Sequence, residues 1–135
     1  MKYRAGYKYQ LAEDYRIHVP IQPNHLIDTE FIQLTPEGVL TIYHGYAWDG
    51  PSGPAIDTSN FMRGSLVHDA LYQLLREEYL PREYRTIADH ILWQLCKEDG
   101  MCGLRAWWVY QGVRWGAGPA ADPEHKKPTL EAGVK

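Results

Sequence analysis

The sequence predicts an α+β fold, an N-terminal antiparallel β-sheet of about four strands packed against three C-terminal α-helices. Three observations predict it. Up to Trp48 bulky residues alternate with polar ones at a period of two. Beyond Trp48 apolar residues return every three or four positions, and Pro81 and the pair Gly100 and Gly103 cut that stretch into three pieces. The 135 residues suit one domain, expected over 1–116, followed by a flexible tail over 117–135 that is proline-rich and poor in apolar residues.

Taken in order, Tyr7, Tyr9 and Leu11 share one parity with Tyr15, Ile17 and Val19, which reads as a strand pair broken near Glu13 and Asp14. Pro20 and Pro23 lack backbone donors and mark a connection or an edge. Two further apolar runs flank Thr35-Pro36-Glu37-Gly38, whose Pro-then-Gly order suits a tight hairpin. Asp57, Thr58, Ser59 and Asn60 offer N-caps ahead of Phe61, so a helix is expected there, with a core stripe of Phe61, Leu66, Leu71, Leu74 and Leu75. Past Pro81, the residues Tyr84, Ile87, Ala88, Ile91, Leu92 and Leu95 form the stripe of a second helix, which a short link makes antiparallel to the first. A third helix over 104–115 contains Gly112, which weakens it by about 1 kcal/mol, so its aromatic face is expected to hold it in place by packing.

Composition narrows the classes of function. A net charge of -3 and the lack of a Lys/Arg block argue against a nucleic-acid surface. No apolar run spans a bilayer and the N-terminus has no signal-peptide pattern, so a soluble, unexported protein is expected. Cys96 and Cys102 match no redox or zinc spacing and are expected as free thiols. Ten tyrosines and five tryptophans serve a core or a contact surface equally well.

The chemistry-bearing residues concentrate between His44 and His90. His68 and Asp69 lie on the first helix at the border of its apolar stripe, and Asp89 lies on the second, one turn after Arg85. In an antiparallel pair these groups would face one groove. A divalent metal ion on His68, Asp69 and Asp89 would lower the pKa of a bound water and make a hydroxide for hydrolysis. A covalent route would instead use Ser52 as nucleophile, His68 as base and an aspartate as orienter, although the prolines around Ser52 depart from a nucleophile elbow. On either route His68, Asp69, Asp89 and Ser52 are the expected catalytic groups, and Asp49, Tyr72 and Arg85 the expected substrate-binding ones. The plain alternative is structural: Asp49 and Ser52 hold a turn, His68 is a satisfied core histidine, and Arg85 with Asp89 ties two helices.

The segments GYAWDGPSGPAID, SLVHDALYQL and REYRTIADHIL together resemble an uncharacterised family of small proteins of tailed phages and prophages, which has a DGxSxP-like loop, an HDxLY helix and an R…AD helix. The resemblance covers roughly residues 27 to 115. It implies a shared fold and a phage setting, in the infected cytoplasm or in the virion, without supplying an activity. Two functions therefore stand as expectations: a metal-assisted hydrolase, or a noncatalytic virion component or binder of a phage or host protein through the third helix and the tail.

Overall fold

The computed structural model describes residues 3–4, 9–48 and 59–116. The Asp49–Pro54 loop, the Asp57 and Thr58 caps and the 117–135 tail lie outside the described residues. The chain divides into two units, Met1–Asp49 and Gly50–Lys135. Among the described residues the first holds antiparallel strands and the second three α-helices, an α+β order as expected.

Among its described residues the first unit has seven short strands: β1 Tyr3–Arg4, β2 Tyr9–Leu11, β3 Tyr15–His18, β4 Ile27–Asp28, β5 Ile32–Leu34, β6 Val39–Ile42 and β7 Ala47–Trp48. The larger sheet has four strands in the order β3-β6-β5-β4, and the smaller has the order β1-β2-β7. Register explains the burial. Ile17 pairs with Leu40, Leu40 with Leu34 and Leu34 with Ile27, so one row of aliphatic side chains crosses all four strands on one face. Leu34, Leu40, Ile32 and Ile42 are fully buried. On the other face Arg16, Thr41, Gln33 and Asp28 align, and Arg16 Nε donates to Thr41 Oγ1 at 3.4 Å.

The hairpin between β5 and β6 closes where the Thr35–Gly38 spacing places it. Gly38 has φ +91°, and a Cβ there would lie 2.6 Å from the Val19 carbonyl oxygen, so only glycine fits. One strand expectation needs correction. The residues Tyr9–Leu11 and Tyr15–His18 do form strands of matching parity, but they do not pair with each other: β2 takes β1 and β7, and β3 takes β6. Shared parity reports which face is buried, whereas the choice of β6 and β7 as partners depends on residues more than twenty positions away.

The second unit contains α1 Ser59–Arg76, α2 Arg85–Glu98 and α3 Gly103–Gly116. The predicted α1 stripe is buried throughout, and Ala88, Ile91, Leu92 and Leu95 of α2 are buried with it. α1 stops before Pro81 with Glu78 at φ 65°, a left-handed position that an L side chain adopts at a cost. α2 stops at Gly100, whose φ of 100° ends the helix. Contacts between α1 and α2 run in opposite directions along the chain: Arg63 bonds Glu98 and Asp99, and Tyr72 bonds Asp89 and lies beside Arg85. Gly64 permits the close crossing, because a Cβ there would meet Leu92 Cδ1 at 3.0 Å and Cys96 Sγ at 3.2 Å. α3 is likewise antiparallel to α2, with Arg114 beside Thr86 and Tyr110 beside His90.

The aromatic face expected to hold α3 does so in part, through Tyr110, which stacks on Trp93 and His90 of α2. Ala106, with Val109 and Val113, packs against Phe61, Leu92, Cys96 and Met101. Trp107 and Trp108 face outward with Leu104. Both sides of α3 are apolar in sequence, so periodicity alone does not choose between them. No helix among the described residues is long and apolar enough to cross a membrane.

Candidate functional site

α1 and α2 cross where each presents polar groups inward. His68 and Tyr72 are one turn apart on α1, so their rings share a face, 4.1 Å between centroids. Asp89 faces them from α2 and is wholly buried, at 0 % exposure. Its Oδ1 accepts from His68 Nε2 at 2.7 Å and from the Tyr72 hydroxyl at 2.6 Å. Its Oδ2 accepts from Arg114 Nη1 of α3 at 2.9 Å, and Arg85 Nε stands 4.0 Å away. One carboxylate thus ties all three helices together.

The electrostatics follow from this cage. Burial pushes the Asp89 carboxyl up, but the hydrogen bonds from His68 and Tyr72, the attraction of His68 and the bond from Arg114 outweigh it, so the carboxyl sits below its ordinary range. Burial, followed by the adjacent Asp89 carboxylate, drives the Tyr72 phenol well above its ordinary value despite Arg85. Tyr72 therefore stays protonated and donates. An ionised carboxylate only accepts, so His68 Nε2 carries a proton. Around this centre Arg85 Nη2 bonds the Arg114 carbonyl at 2.5 Å, and Arg114 Nη1 also reaches Thr86 Oγ1 at 3.2 Å. Further along the α2–α3 seam, His90, Trp93 and Tyr110 form a ring stack with Lys97 over the indole. Trp93 Nε1 is the one buried side-chain polar atom without a partner among the described residues.

Of the residues singled out in the sequence, His68, Asp89, Tyr72 and Arg85 come together here. Asp69, half-buried beside His68, is not among the partners of Asp89, because adjacent helical positions point about 100° apart. Asp49 and Ser52 lie outside the described residues. The metal expectation gains no support from His68, Asp69 and Asp89: among the described residues no three His, Cys, Asp or Glu groups gather closely enough to hold an ion. Both oxygens of Asp89 already accept from cationic or hydroxyl donors, and His68 Nε2 is a donor here, not a ligand.

Sequence reasoning missed Arg114. Its four-residue spacing from Ala106 and Tyr110 puts it on one stripe with them, where a buried charge needs a counter-charge, but the sequence does not say which stripe of α3 turns inward. No family model, curated protein or solved structure matches the chain.

Proposed function

We propose that the chain is a noncatalytic binding protein of a tailed phage, a virion component or a ligand of a host protein, with α3 as its contact surface. The phage setting comes from the three sequence motifs. One observation carries the binding role: Leu104, Trp107 and Trp108 are 70, 41 and 63 % exposed and occupy positions i, i+3 and i+4 of one helix. An apolar ridge of two indoles and a leucine costs free energy in water and is the composition of an interface centre. The Trp107 and Trp108 rings meet edge to face, 5.1 Å between centroids, which makes the ridge stiff. Arg105 and Arg114 are the charged residues of α3, and it has no acidic one. The Asp89 cage and the Ala106 cluster anchor the opposite side of the helix.

A photocrosslinking residue at position 104, in cells producing the phage, tests this reading. It should capture one defined partner, and Trp107→Ser with Trp108→Ser should abolish capture while circular dichroism stays unchanged. The exposed Leu26 of the first unit is the control position. Equal capture from 104 and 26, or capture that survives the double substitution, would refute the reading.

A second reading is favoured by the 2.7 Å contact of His68 with Asp89. In it the chain is a hydrolase whose base, His68, is aligned by Asp89, with Ser52 as nucleophile. His68→Gln would then abolish turnover of an ester or phosphoester panel in a folded variant, and a wild-type chain inert across that panel would rule it out.

A further inference from the structure

Arg85 and Arg114 bring two permanent cations to one carboxylate. Arg114 Nη1 lies 2.9 Å and Arg85 Nε 4.0 Å from the same oxygen, Asp89 Oδ2. Guanidinium does not deprotonate in proteins, so these three side chains hold an excess of one positive charge. Asp89 is buried, whereas the two arginine side chains are 27 and 30 % exposed. Their donors are only partly used. Arg114 spends Nη1 on Asp89 and Thr86, and Arg85 spends Nε on the Tyr72 hydroxyl and Nη2 on the Arg114 carbonyl. Among the described residues, Arg114 Nη2 and Arg85 Nη1 have no acceptor. Thr86 Oγ1 receives from Arg114, so its own proton remains to be donated.

We propose that this end of the α2–α3 seam binds a phosphate-type oxyanion, held by the spare N–H groups of Arg85 and Arg114 and the hydroxyl of Thr86. A tetrahedral oxyanion suits paired guanidinium forks, and its charge offsets the excess that Asp89 leaves. The site lies at the opposite end of α3 from the Leu104–Trp108 ridge and rests on neither functional reading. Inorganic phosphate and the monophosphate of a nucleotide share the recognised chemistry.

The test is a titration of the full chain with inorganic phosphate, and separately with adenosine monophosphate, at ionic strength held constant with chloride, followed through the arginine Nε–H resonances. Saturable shifts confined to Arg85 and Arg114 are expected. Arg85→Gln should weaken binding about tenfold, the loss of one charge-assisted hydrogen bond. Arg114→Lys, which keeps the charge toward Asp89 but loses the fork, should also weaken it and decides the matter if the first variant fails to fold. Tighter binding of the nucleotide assigns the site to a phosphoester, and equal binding assigns it to free phosphate. Shifts that chloride reproduces, that never saturate, or that persist unchanged in the variants would overturn the proposal.

Discussion

Asp89→Asn is the most informative single change in the helical unit. The substitution keeps the side chain's shape but removes its charge and turns one acceptor into a donor, leaving His68, Tyr72 and Arg114 with one accepting oxygen among them. Breaking one side of a buried ion pair costs about 3–5 kcal/mol. Because the arginines are 27 and 30 % exposed, water recovers part of their solvation, and the lower end, about 3 kcal/mol, applies. That is a large share of the roughly 5–15 kcal/mol by which a domain of this size is stable. Urea unfolding followed by tryptophan fluorescence reads it directly: with a slope of about 2 kcal/mol per molar, the midpoint should fall by about 1.5 M.

Acid supplies a second reading of the same carboxylate. The native pKa of Asp89 lies below the ordinary 3.8, so its contribution is complete above that value and is lost as pH falls from there through the native pKa. The gap between wild type and variant should therefore narrow on acidification. A midpoint shift below about 0.5 M at neutral pH, with an unchanged slope, would refute the view that this carboxylate clasps the helices.

Other outcomes follow from local geometry. Burial pushes the Cys96 thiol up to about 12, while Cys102 is exposed, so a thiol reagent should modify Cys102 rapidly in the native chain and Cys96 only on unfolding. Gly38→Ala should cost about 2 kcal/mol or more in urea unfolding, since it combines a positive φ with a 2.6 Å approach to the Val19 carbonyl oxygen. Glu78→Gly should do the reverse and raise thermal stability by up to about 1 kcal/mol, because Glu78 holds φ 65° after α1.

What could be read from the sequence was set by how local the information is. Pro81, Gly100 and the apolar spacing bounded the helices within a few residues, since helical contacts lie three or four positions apart. The pairs His68 with Tyr72 and Arg85 with Asp89 were visible for the same reason. Beyond the β5–β6 hairpin at Thr35–Gly38, strand partners were not: β3 pairs with β6, more than twenty residues on, and no local pattern encodes that choice. Arg114 escaped because it meets Asp89 from another helix. The side on which α3 packs was hidden by a sequence that is apolar around most of its circumference, so only tertiary contacts decide that Ala106 turns in and Trp108 turns out.

The outward turn of Trp107 and Trp108 leaves the chain with a built-in optical probe. Trp48 is 2 % exposed, whereas Trp107 and Trp108 meet solvent at 41 and 63 %. Indoles in such different surroundings emit at different wavelengths and differ in their access to a dissolved quencher. Anything that covers α3 should therefore register as a blue shift and a loss of quenching from the red-emitting fraction, with no label attached.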